Sequence, residues 1–71
     1  MGRAVWIAYT ASGRRWARRT TRTAAMNSLE KPHYCPGRVR VINQRTGQCW
    51  QRRRGSWFPA EDVDVSQLEL L

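Results

Sequence analysis

The chain writes one short phrase twice. Ser12-Gly13-Arg14-Arg15-Trp16-Ala17-Arg18-Arg19 returns further along as Thr46-Gly47-Gln48-Cys49-Trp50-Gln51-Arg52-Arg53. Both copies share a small hydroxyl residue, a glycine, a tryptophan three positions on, and a closing arginine pair. The Gly-x-x-Trp spacing carries the signal, because arginine is too common in this chain for its matches to weigh much. Each copy follows a β-prone run, AVWIAY at 4–9 and GRVRVIN at 37–43. A run, a glycine turn and a return segment make a β-hairpin, so the chain is expected to hold two related hairpins.

Alternation then assigns faces. Val5, Ile7 and Tyr9 fall on one side of the first strand, with Trp6 and Ala8 on the other. Val39 and Val41 oppose Arg40 and Ile42 in the same way. A four-residue loop at Thr10–Gly13 pairs Tyr9 with Arg14, Ile7 with Trp16 and Val5 with Arg18. The matching loop at Gln44–Gly47 pairs Val41 with Trp50 and Ile42 with Cys49. Ile7–Trp16 and Val41–Trp50 then become equivalent aliphatic–indole pairs, with both tryptophans expected in the core.

Between the hairpins, TTRTAAMNSLEKP favours a helix of about two turns, with Thr20, Thr21 or Thr23 as N-cap and Pro32 as the stop. Met26 and Leu29 share one of its faces. His33 to Gly37 reads as loop. After the second hairpin, GSWFPAEDVDV at 55–65 suggests a strand, one helical turn and a second strand with Val63 and Val65 alternating. One small basic domain over residues 1–65 and an acidic tail at 66–71 follow. The fold class is mainly β with one short helix (α+β): two β-hairpins, arranged SH3-like or as a small open sheet.

Seventy-one residues bury only a thin core, so large side chains matter. The four tryptophans, Tyr9, Tyr34 and Phe58 supply them, beside Ile7, Ile42 and the valines. Trp57 and Phe58 are adjacent and cannot both point inward from a regular strand. One of them reaches the surface.

Charge is divided along the chain. All thirteen basic residues precede residue 61, with Glu30 as their sole acidic companion, and the other four acids follow it. The formal net charge is +8. Such a body attracts polyanions and acidic protein surfaces. Every cation but Lys31 is arginine, whose planar fork suits phosphate and carboxylate and stacks on aromatic rings. The candidate binding residues are Arg14, Arg15, Arg18, Arg19, Arg38, Arg40, Arg52, Arg53, Arg54, Trp57 and Phe58. Arg14 and Arg18 are expected on one face, Arg15 and Arg19 on the other. Segment 52–58, where arginines meet two aromatics, is the strongest single patch. The alternative is a solvated face whose arginines cover tryptophan edges and keep the protein dispersed.

Chemistry is not expected. One histidine, acids gathered near one end, and no glycine-rich phosphate loop leave no catalytic constellation. His33, Cys35 and Cys49 match no zinc spacing, so neither metal nor cofactor is expected. The first sixteen residues hold no sustained apolar run, which reads against a secretory leader, and no stretch suits a bilayer span. A cytoplasmic monomer with reduced thiols is the expectation; a Cys35–Cys49 disulfide is the alternative.

Three resemblances extend this reading. GSWFPAEDVDV, with GRVRVINQRTGQCWQRRR before it, resembles the closing strands of SH3-like small barrels, which implies a fold and not proline-peptide binding. SGRRWARRTTRTAAMNSL looks like the sheet-plus-helix modules of AP2 type and of phage-integrase arm domains. Those lay an arginine- and tryptophan-rich sheet into the major groove. The whole chain, from MGRAVWIAYTASGRRW to VSQLELL, looks like small bacteriophage-encoded proteins that bind host RNA polymerase. That last likeness implies a non-enzymatic regulator, acting in the host cytoplasm, that docks on polymerase and inhibits or antiterminates transcription. Direct binding of DNA or RNA by the same surface is the alternative. The acidic tail either frays or lies over the basic body and screens it.

Overall fold

The computed structural model describes residues 5–30 and 36–68. Five strands form one open antiparallel sheet: β1 (Trp6–Tyr9), β2 (Arg15–Arg19), β3 (Arg40–Asn43), β4 (Cys49–Arg53) and β5 (Ser56–Ala60). Helix α1 (Arg22–Asn27) lies between β2 and β3, and a short α2 (Val65–Leu68) follows β5. The strand order is β2-β1-β3-β4-β5. The two hairpins therefore share one sheet, joined where β1 pairs with β3 through Ile7–Ile42 and Ala8–Val41. Of the two expected architectures, the small open sheet is the one formed, with β2 and β5 at its edges. Among the described residues no helix is long and apolar enough to cross a membrane.

The second hairpin has the register its sequence implies, Val41 opposite Trp50 and Ile42 opposite Cys49. Asn43 fixes the four-residue loop: its Oδ1 accepts from the Arg45 and Thr46 backbone N–H groups. The backbone N–H of Asn43 then donates to the Gln48 carbonyl, closing the loop at 2.8 Å.

The first hairpin departs from expectation. Thr10 stands where the second copy has Gln44, and the residue before it is Tyr9, which cannot form an Asx turn. Thr10 instead bonds Arg14 across a three-residue loop, with Gly13 donating to the Thr10 carbonyl. A bulge then follows, so that Tyr9 faces Arg15, Ala8 faces Ala17 and Ile7 faces Arg18. Trp16 is the extra residue, opposite nothing. The Ile7–Trp16 pair does not form, because a shorter loop and a bulge each move the register by one. Arg15 and Arg18 consequently share a face, opposite Tyr9 and Ile7, while Arg19 opposes Trp6 on the other. The expected Arg14/Arg18 and Arg15/Arg19 grouping is corrected accordingly.

Helix α1 starts as the sequence suggests. Thr21 is the N-cap, its hydroxyl accepting from the Ala24 N–H. The helix ends at Asn27, well before Pro32, which lies outside the described residues with Tyr34, His33 and Cys35. Ala25 and Leu29 are fully buried against Ala8, Val39 and Val41. The opposite sheet face buries Ile7, Tyr9, Ile42 and Cys49 beneath Val63 and Val65. Those valines form no strand. Val63 donates its N–H to the Gly47 carbonyl at 2.8 Å, and Asp64 caps α2 by accepting from Ser66. The core is thus aliphatic with one tyrosine, and Trp6, Trp50 and Trp57 pack around its rim.

Two turn positions are under direct constraint. Gly47 has φ +82°, and a Cβ there would overlap the Val63 carbonyl oxygen. Arg54 and Gly55 both have positive φ, 51° and 81°, as a two-residue type I′ turn requires. Asparagine or glycine suits the Arg54 position far better than arginine does.

Thermal unfolding checks both. Gly47→Ala should cost about 2 kcal/mol or more, since strain and overlap act together. Arg54→Asn should raise stability by about 0.5–1 kcal/mol, a few degrees in Tm for a domain of this size. Equal Tm values for Gly47→Ala and the parent would contradict the docking of Val63 on the turn.

Candidate binding surface

The candidate residues divide into two sets by where the sheet sends them. Alternation along β4 turns Trp50 and Arg52 toward α1 and turns Gln51 and Arg53 away. Along β5, Trp57 opposes Arg52, and Phe58 opposes Gln51.

On the helix side the residues are structural. Arg52 is 6 % exposed, and its Nη1 donates to the Leu29 carbonyl just beyond α1. Trp16 Nε1 donates to the Ser28 carbonyl at 2.9 Å, and Trp57 Nε1 donates to Glu30 Oε1 at 2.7 Å. Three strands, β2, β4 and β5, thus each send one donor to the same end of the helix. Arg22 stacks over the Trp50 ring at 4.4 Å, which shields an indole whose N–H is buried without a hydrogen-bond partner. Trp16 pays for its hydrogen bond with exposure: at 45 % it lies at the surface, not in the core as expected. The bulge that displaces it also explains this, because it lets Trp16 reach over the helix end.

On the other face the residues around the Val63–Val65 cover reach solvent. Cross-strand register sets Arg15, Tyr9, Arg40, Gln51 and Phe58 in one row across all five strands. Arg18 lies one row to one side, and Arg53 one row to the other. With strands about 4.8 Å apart, Arg15 and Phe58 sit roughly 19 Å apart at the two edges. Arg15, Arg18 and Arg53 are exposed, Arg40 is half-buried, and Phe58 is 50 % exposed. Of the Trp57–Phe58 pair, Phe58 is the one that faces out. The middle of this row is covered: Tyr9 is fully buried, with its hydroxyl unpartnered.

Hairpin β4–β5 runs beyond the last β3–β4 pair, Arg40–Gln51, and its projecting end borders an open groove of about 800 Å³. Arg38, Arg52, Arg53, Arg54 and Phe58 line it, with Glu30, Pro36, Gly37, Gly55 and Ser56. The arrangement joins the sequence's strongest patch to Arg38, which sequence spacing alone did not place beside it. Arg14 and Arg19 are exposed but lie at the β2 edge, away from this groove. The acids Glu61, Asp62 and Asp64 are exposed beside the valines that cover the sheet.

Cys49 is a free thiol, 3 % exposed. Burial pushes its pKa up, with Asp62 acting the same way and Arg40 opposing, so the thiol stays protonated and serves as a small core side chain. Among the described residues no group of three histidine, cysteine or acidic side chains converges on a metal position. Comparison with known proteins finds no matching family model, no matching curated protein and no matching solved structure.

The division of arginines is testable by urea unfolding. Arg52→Met should cost about 1.5–3 kcal/mol, the range for losing a charge-assisted hydrogen bond to a buried carbonyl. Arg53→Met, one residue along and facing solvent, should stay within about 0.5 kcal/mol of the parent. Equal losses would contradict the assignment of opposite faces.

Proposed function

We propose that the protein is a small non-enzymatic regulator that binds nucleic acid directly, through the arginine-bearing face of its sheet and the adjoining hairpin. The observation that carries this reading is the register. It gathers Arg15, Arg18, Arg40 and Arg53 from three strands onto one face with an exposed phenyl ring. Guanidinium groups of one sign, carried on β2, β3 and β4 over about 14 Å of sheet width, offer several phosphates a partner along one strand, and an adjacent aromatic offers a base a stacking surface. Arginine in place of lysine favours the bidentate geometry that phosphate accepts. A cytoplasmic site of action goes with this reading.

A second reading is docking on RNA polymerase, in the manner of the small phage proteins the chain resembles. Phe58 favours it. A half-exposed aromatic set among arginines is the kind of residue on which protein interfaces concentrate their binding energy. Both readings use the same surface and differ in what salt does to them.

Affinity for a labelled oligonucleotide, measured across a salt series, separates the two. Direct binding predicts a log–log slope that falls by about 0.7 for each phosphate contact removed on a single strand. Arg15→Gln combined with Arg18→Gln should therefore flatten it by roughly 1.4. A flat salt dependence, with polymerase subunits retained from nuclease-treated lysate at about 0.2 M salt, would reverse the order of the two readings.

A further inference from the structure

We propose that the groove beside the β4–β5 hairpin receives an unstacked base, so that the protein prefers single-stranded to duplex nucleic acid; this rests on the nucleic-acid reading above. The groove offers two kinds of wall. Phe58 presents half of its surface, and Arg38, Arg53 and Arg54 are all exposed around it. A nucleotide has the complementary division, a flat π-face and a phosphate, within the span of a cavity of about 800 Å³.

The concave shape decides against a duplex at this site. In a double helix the base faces are stacked on their neighbours, and only phosphates and base edges are presented. Phe58 sits on the sheet face beneath the projecting turn and not at its tip, so a paired base reaches the ring only if it is extruded. A single strand carries its bases free and pays little for placing one there.

A second, independent observation is the turn itself. Arg54 occupies a left-handed position, φ 51°, that favours asparagine or glycine. Backbone strain held at the rim of a charged groove points to a residue kept for what its side chain meets. Arg54 lines the groove, and its neighbour Arg53 shares a face with Phe58. Arg54→Asn, expected to stabilise the fold, should therefore weaken binding.

Fluorescence anisotropy with an oligothymidine of about twelve nucleotides, and with its duplex on oligoadenosine, tests the proposal. The single strand should bind roughly 10-fold tighter or more, and Phe58→Ala should lose roughly 10-fold on the single strand alone. Phe58→Tyr should restore it, and circular dichroism should show all variants folded, since Phe58 lies at an exposed edge. Equal affinity for both forms, with Phe58→Ala neutral, would overturn the groove and leave the nucleic-acid reading standing. No binding of either form would overturn both.

Discussion

The buried guanidinium of Arg52, donating to the Leu29 carbonyl, is the interaction on which the rest of this fold depends. Six residues of helix with no acid in the first turn have little stability of their own. Yet α1 must stay seated, because Ala25 and Leu29 close one half of the core over Val39 and Val41. A cation placed there satisfies the Leu29 carbonyl just past the helix and stands near the negative end of the peptide dipoles. Trp16 and Trp57 add donors from the two edge strands, so the helix end is held across the full width of the sheet.

This gives the repeated phrase a different meaning in each copy. In the second hairpin the tryptophan packs against the core and the first arginine of the pair goes inside. In the first hairpin a bulge pushes the tryptophan out to the helix end, and the arginines stay in solvent. One sequence pattern thus supplies two unlike parts of one clamp. The arginines left over are the ones free to serve as a binding surface.

The four-residue loop expected for both hairpins forms in the second, where Asn43 sets it through its own side chain and the strand pairing follows. Nothing comparable marks the first loop, where Thr10 and Gly13 fit three or four residues equally well. A bulge leaves no sequence signal of its own, so the partners of Ile7 and the faces of Arg15 and Arg18 were out of reach. The helix was readable between the threonines at 20–23 and Pro32, with Met26 and Leu29 on one face; which threonine caps it, and that Ala25 is the fully buried residue beside Leu29, were not. That Val63 and Val65 would cover the sheet without forming a strand was not readable, because the alternation that suggests a strand also suits a segment docked by two side chains. For the surface, alternation already implied that Arg52 and Arg53 face opposite ways. Which of them is buried depends on where the helix ends, a long-range fact that local spacing does not contain.

What emerges is a sheet with one face holding a helix and the other covered at its centre by Val63 and Val65, with exposed arginines, Phe58 and the β4–β5 turn at its margins. The most direct test is a nuclear magnetic resonance titration of the labelled protein with a short single strand, read residue by residue. The account predicts shifts concentrated at Arg38, Arg53, Arg54 and Phe58, with Arg22–Asn27 unmoved because that side is occupied by the clamp. Shifts centred on the helix, with the hairpin silent, would contradict it.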